Sequence, residues 1–572
     1  MTPRRPRATR MAYSPLTKIV RETAAANDEA IARGMPLDEV AEERAARREL
    51  AQRLGGDDGA IDRRDFLKLA GGAAGLAAAA TLAARARWFS GAHASASQRI
   101  VIVGGGLAGL RCAHKLWVTY GIRSTVYEAE TDHVGGRCWT LRNFFANGQI
   151  GEHGGEFIDT DHTSVRALVS SFGLTLETAN GGSLPQAGLS DLYWLDGSRY
   201  TNAQAQTDWS AAYLAFKNAE AAAPFPMTYN SYTAEAQRLD NMTMAEWFDD
   251  PKYPQLQTVG GSSGRFARLC QSILLSEYGS DWDTQPALNL IYELAYNAQN
   301  NFQSAGGDEV SHIRGGNDQM ITKMLAALPS DTLKTGTALV ALKANGGSTY
   351  TCTFSDGPHT FDVVADHVVL ALPFTTLRNV DLTGAGLSVV KMKAINKMNL
   401  GHNAKLHVQM NSRPWASAGF SGSAFSDVQN FQLCWDETVA QVIGGSAAAS
   451  PGILLNYPGG DTYFPPWQGS TDHGPAPQAD VDHFLALVEP AFPGATAAAN
   501  GVAYRDWWLK DEWHYGAYSH YELGQYTAFA GVEAKQEGAI HFCGEHTSLE
   551  YQGFMEGAVE EGERAAQEVA TT

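Results

Sequence analysis

The stretch RIVIVGGGLAGL, Arg99 to Leu110, sets a short apolar run against a glycine-rich loop. Ile100 to Val103 reads as a buried strand, and the run from Leu110 to about Tyr120 reads as a helix. The next segment, STVYEA, reads as a second strand ending at Glu128, roughly 20 residues beyond the loop. Strand, loop, helix and acidic strand end together form a βαβ dinucleotide-binding unit, a far more specific signal than the glycines alone. Gly104 permits the tight turn, Gly106 lets the backbone approach a pyrophosphate, and Gly109 lets helix and strand pack closely. Leu107 and Ala108 open the helix, whose free amides favour phosphate. Glu128, with Ala129 after it, is placed to accept from a ribose diol.

The whole chain has 572 residues, more than one hydrophobic core normally serves, so at least two domains are expected. A hydrophobic content of 44% describes a globular protein, and a net charge of −19 argues against a nucleic-acid partner. The six cysteines are scattered without a CxxC pair, which suggests neither a disulfide framework nor a zinc site. Two His-x4-His spacings, His402 with His407 and His541 with His546, fall in segments that read as strand or turn, which weighs against a metal.

The stretch after Glu128 discriminates between cofactors. VGGRCWT supplies Gly136 and Arg137, the latter placed to reach the same pyrophosphate. This element resembles the GGR motif of glutathione-reductase-like FAD proteins, especially the flavin monoamine oxidase and L-amino-acid oxidase superfamily. GEHGGEFID, Gly151 to Asp159, is similar to that family's third glycine element, with Gly154, Gly155 and Glu156 close to the flavin. HIRGGNDQM resembles a segment of bacterial members, and TALVALKANGGSTYTCTF reads as a hairpin turning at Asn345-Gly346-Gly347. Val340 matches the position whose backbone meets the adenine. The C-terminal IHFCGEHTSLEYQGFMEGAVEEGERAA is similar to the family signature almost end to end. The resemblance there gives Gly544, Glu545 and Gly553 to the cofactor, and the Met555 amide to the pyrimidine edge of the flavin.

The resemblance covers essentially residues 98–570 and implies an α/β fold. Its glutathione-reductase-like Rossmann FAD domain is discontinuous, in blocks 98–170, 307–373 and 513–572. The intervening 171–306 and 374–512 are expected to form a substrate domain of helices on a mixed sheet. Lys405, on a period-two strand, matches the lysine that holds a water against flavin N5. Tyr518 and Phe554 match two aromatics flanking the substrate path, with Phe554 a departure from the usual tyrosine. Trp508, or its neighbour Trp507, matches an aromatic near the flavin. Ala517 stands where vertebrate monoamine oxidases carry the flavin-linking cysteine, so the FAD is expected to be non-covalent. Asp159 lines up with a carboxylate that holds a distal ammonium in polyamine oxidases, and Phe157 with the arginine of snake-venom-type L-amino-acid oxidases.

Ahead of the dinucleotide unit, Arg63-Arg64 precede Phe66-Leu67-Lys68, a weakly apolar Gly/Ala run, and small residues Ala92 to Ala96. That order resembles a twin-arginine (Tat) signal over 61–97, a route that moves folded, cofactor-loaded proteins. Export by the Tat translocase is favoured over a signal anchor, because alanine and glycine are marginal for spanning a bilayer. No apolar run of the mature chain is long enough to span. Residues 1–60 form an unusually long leader, and Met11 or Met35 are alternative starts. A homodimer is compatible with the resemblance.

The function implied is an exported FAD-dependent amine oxidase taking a small amine and oxygen and yielding imine, then aldehyde, ammonia and hydrogen peroxide. An L-amino-acid oxidase, a flavin amine dehydrogenase that passes electrons to a redox protein, and a non-catalytic flavin-binding protein are the alternatives. An amino acid needs a cation for its carboxylate, and Arg314 is a candidate from another segment.

Overall fold

The computed structural model describes residues 98–178, 189–304, 308–346, 348–443, 446–462, 464–467, 469 and 471–572. The leader 1–60 and the signal 61–97 lie outside the described residues. The elements described below lie in the unit formed by the described residues of Ala94–Thr160 and Ser164–Thr572.

Ile100–Val103 is a strand with all four residues buried. It sits at the centre of a five-stranded parallel sheet, flanked by His367–Leu370 and Thr125–Tyr127, with Ile540–Phe542 and Leu333–Lys334 at the edges. Strands from widely separated stretches of chain thus share one sheet. The helix Leu107–Tyr120 ends where Gly121 turns left-handed (φ 68°) and its amide reaches back to Trp117. The last helix, Met555–Thr571, crosses it closely: a Cβ on Gly562 would lie 2.4 Å from the Ala108 carbonyl oxygen. The hairpin reading holds, with Ala338–Ala344 antiparallel to Tyr350–Ser355.

A second sheet has eight strands, in the order His473–Pro475, Ala499–Asp506, Lys405–Met410, Gly452–Asn456, Phe431–Asp436, Phe420–Val428, Ser190–Leu195 and Ser198–Tyr200. Its pairs are antiparallel except Phe420–Val428 with Ser190–Leu195, so the sheet is mixed. Helices Asn202–Ala222, Arg265–Tyr278 and Ala287–Leu294 bury Trp209, Phe216, Phe266 and Leu290 in the core beside it. Among the described residues, no helix is long and apolar enough to cross a membrane.

The strand Lys405–Met410 differs from the half-exposed strand that its alternation suggests, because every one of its residues is buried. Leu406, Val408 and Met410 enter an apolar cluster, while Lys405, His407 and Gln409 point into a buried polar layer on the opposite face.

Candidate active site

A cavity of about 630 Å³ runs along the glycine loop and into the region beside the second sheet. Its glycine-rich wall is built by backbone geometry. Gly104 has φ +107°, which disfavours any side chain, and a Cβ on Gly109 would stand 2.1 Å from the Gly104 carbonyl oxygen. Gly104, Gly106, Leu107 and Ala108 line the cavity, and Gly109 lies behind them as packing. The helix Leu107–Tyr120 has no side-chain cap and no acidic residue in its first turn, so its amides stay available to an anion. Glu128 and Ala129 lie on the same wall, where Glu128 Oε2 accepts the Gly105 amide at 2.6 Å.

Gly136, Arg137, Gly154, Gly155, Gly544, Glu545, Gly553 and Met555 also line the cavity. Arg137 is engaged within the protein: Nη1 donates to the Ala517 carbonyl at 2.6 Å and to Glu545 Oε1 at 2.9 Å. Glu545 Oε2 accepts from Ser519 Oγ at 2.6 Å and from the Gly553 amide at 2.8 Å. Burial pushes the Glu545 carboxyl up, but Arg137 and these hydrogen bonds outweigh it and hold it below its ordinary range. One ion pair therefore ties the GGR element to the last two motifs. Thr337 to Leu339 line the cavity next to Val340, whose carbonyl accepts the Asp381 amide at 2.9 Å.

Lys405 reaches the cavity as half of an ion pair. Its Nζ donates to Glu156 Oε2 and to the Glu152 carbonyl, each at 2.9 Å. Burial works against the Lys405 charge, yet Glu156 and Glu437 outweigh it and keep the ammonium charged. Glu156 Oε1 also accepts from Trp435 Nε1 at 2.9 Å. Trp435 packs on Phe157 and Tyr457, with ring centroids 5.5 and 5.1 Å away. Tyr457 donates to the Tyr518 hydroxyl at 3.0 Å, which in turn donates to the Ser276 carbonyl at 2.8 Å. Phe157, Tyr518 and Phe554 all line the cavity, so the aromatic wall is wider than two residues. Trp508 is on the lining, held by Nε1 donating to the His153 carbonyl at 2.9 Å, while Trp507 packs away in the Phe464–Trp467 cluster.

Asp159 does not line the cavity; it accepts the Glu309 amide at 2.8 Å and so fixes that segment. Further acidic groups that line it include Asp191, Glu277, Glu293 and Glu309, which sequence reading missed. Burial raises all four carboxyls, and mutual repulsion adds to it at Glu277 and Glu309. Glu293 and Glu309 are pushed up to about 7 and about 8. Arg137 and Lys405 are the Lys and Arg side chains among the described lining residues, and each is paired with a glutamate. Arg314 is elsewhere, exposed and bonded to Glu177 at 2.8 Å. The His-x4-His pairs separate: His402 meets Asp461, His407 meets Glu437 and Asp506, and His541 meets Glu568.

Residues 107–570 match the family model described as flavin containing amine oxidoreductase. The chain belongs to that family. It is 23% identical over 489 residues to the flavin-containing amine oxidase of Danio rerio, covering 82% of this chain and 85% of that one. It is 24% identical over 489 residues to the L-amino-acid oxidase of Siganus canaliculatus, covering 83% and 85%. Cyclohexylamine oxidase from Brevibacterium oxydans IH-35A has the same fold, with a TM-score of 0.67 at 22% identity over 83% of this chain and 98% of that one. The chain is therefore a flavin-dependent oxidoreductase of the amine oxidase type, and its uncapped helix and close-packed glycines fit such a cofactor.

Proposed function

We propose that this protein is an FAD-dependent amine oxidase whose preferred substrate is a primary amine carrying a second positive charge. The observation that supports it is the acidity of the lining: Asp191, Glu277, Glu293 and Glu309 are among its carboxyls, and the Lys and Arg side chains described there are already paired. An α-amino acid would bring its carboxylate to like charges without an arginine to receive it. A diamine would relieve the repulsion among Glu277, Glu293 and Glu309. The glycine loop, Glu128 and Arg137 would hold FAD, which would supply the two-electron oxidation of the carbon beside the nitrogen, the two electrons and two protons leaving with oxygen as hydrogen peroxide. The chain's own residues do the rest. Tyr457, Tyr518 and Trp435 present aromatic faces to an amine, and the carboxyls draw its far end away from Lys405. The imine product then hydrolyses to aldehyde and ammonia.

Ala517 and the thiols support non-covalent FAD. Cys138 is the cysteine that reaches the lining, and burial pushes its thiol well up, which makes it a poor nucleophile. Arg63-Arg64 and the Gly/Ala run support export by the Tat route. A peroxide-coupled panel pairing each amine and diamine with its α-carboxylated counterpart tests the substrate reading. Diamines should exceed the matched amino acids in kcat/KM by about tenfold or more, the scale of one charge-assisted contact. Amino acids winning across the panel would replace this reading with the L-amino-acid oxidase, and flavin bleached by amines but slow to react with oxygen would favour the dehydrogenase.

A further inference from the structure

Behind the Lys405–Glu156 pair lies a second layer of charge. Lys405 and His407 are two residues apart on one strand and share its polar face. His407 Nδ1 meets Glu437 Oε2 at 2.8 Å, and Nε2 meets Asp506 Oδ2 at 3.0 Å. Glu437 Oε1 accepts the Glu152 amide at 2.7 Å, and the Glu152 carbonyl accepts from Lys405 Nζ at 2.9 Å. Hydrogen bonds joined through the backbone of Glu152 thus connect Asp506 to the ammonium that faces the cavity. On the far side, Asp506 Oδ1 meets His153 Nδ1 at 2.7 Å and His473 Nδ1 at 2.6 Å, and His473 Nε2 meets Asp511 at 3.2 Å.

His153, His473 and Asp506 are a ligand set of the kind a metal accepts. Their contacts of 2.6 and 2.7 Å are hydrogen-bond lengths, though, shorter than the roughly 3.3 Å that separates ligands around a tetrahedral zinc. A ring nitrogen facing a carboxylate must donate, and an imidazole with carboxylates at both nitrogens is therefore an imidazolium. His407 and His473 meet that condition.

We propose that His407 is a positioning residue for Lys405. Clamped as an imidazolium between Glu437 and Asp506, it keeps Glu437 ionised, and Glu437 in turn holds Glu152 by its backbone amide, the residue whose carbonyl receives the lysine. The inference rests on reading the cavity as an FAD site. The groups facing His407 are Glu437 from the end of Phe431–Asp436, Asp506 from Ala499–Asp506, and Glu152 and His153 from the third glycine element. His473 stands across Asp506, Lys405 is on its own strand, and the rings of Phe145 and Tyr504 cover it. Burial opposes the charge on His407, but Glu437 and the bonds to both carboxylates outweigh it and raise its pKa to about 9. Glu437 is held below its ordinary range despite burial, chiefly by His407.

The test uses the full FAD-loaded protein and the variants His407→Gln, Glu437→Gln and the double variant. The midpoint potential of the bound flavin is measured from pH 6 to 8 by dye equilibration, alongside thermal midpoints. Reoxidation is followed after chemical reduction by dithionite, so no amine is needed. In His407→Gln the buried Glu437 should begin to exchange a proton, adding a break to the potential–pH line and slowing reoxidation by about tenfold. The double variant should straighten the line and recover most of the rate. Should His407→Gln fail to fold, Glu437→Gln decides: loss of a negative charge near the flavin must move its potential to more positive values. A line like the wild type in every variant, with only the thermal midpoints lowered, would overturn the proposal. So would a stoichiometric metal lost on His153→Ala. A wild-type chain that holds no flavin would sink the FAD reading and this inference together, whereas a flavoprotein inert to amines would sink only the substrate reading.

Discussion

Lys405 Nζ stands 2.9 Å from Glu156 Oε2, and both side chains are 4% exposed. The pair is close to neutral as seen from the cavity. Glu156 is therefore engaged with Lys405 and the Trp435 indole, and the ammonium offsets its charge toward a substrate carboxylate or ammonium. That discrimination passes to Asp191, Glu277, Glu293 and Glu309, which carry no such partner lysine.

Replacing Lys405 by Met should leave FAD bound while slowing flavin reoxidation. It also strands the Glu156 carboxylate, which costs about 3–5 kcal/mol for a broken buried pair. Lys405→Met with Glu156→Gln should recover much of that stability without recovering the rate. Denaturant titration and stopped-flow mixing with oxygen check the two halves separately.

Acid precipitation should release free FAD into the supernatant. Ala517 offers no sulfur, and the Cys138 thiol is held protonated by burial. Flavin fluorescence that stays with the denatured band would contradict this.

The preference for a diamine should depend on pH. Burial raises Glu293 and Glu309 to about 7 and about 8, so both are largely protonated at pH 6 and ionised at pH 9. The kcat/KM ratio of a diamine to a monoamine of equal length should rise across that range by about tenfold, one charge-assisted contact. A flat ratio, or the same rise after Glu293→Gln and Glu309→Gln, would remove the carboxyls from recognition.

Replacing Arg63 and Arg64 together by Lys should keep the folded yellow protein in the cytoplasm. Lysine preserves the charge but not the guanidinium fork. Cell fractionation with flavin absorbance reads the outcome, and continued export of the double variant would end the Tat assignment.

What the sequence determined by itself was the glycine-rich half of the cavity. Gly104 and Gly109 were legible because a turn with φ +107°, and a position where a Cβ would stand 2.1 Å from the Gly104 carbonyl oxygen, admit only glycine. The strand before them and the acid at Glu128 follow from local periodicity and spacing. The tertiary structure alone decided the other half. Lys405 was assigned to the site by the family resemblance and not by its strand, because alternation records only that two faces differ, and both faces of this strand are covered. Glu309 reaches the lining from 150 residues beyond Asp159, which accepts its amide, and no local pattern records that pairing. Asp191, Glu277, Glu293 and Glu309 come from separate strands, helices and loops. Trp435 and His407 likewise acquire their roles only where two distant elements meet. Charge and aromatic character are visible residue by residue, but a field or a hydrogen-bond chain depends on distances through space. Those distances are set by how the second sheet packs against the third glycine element.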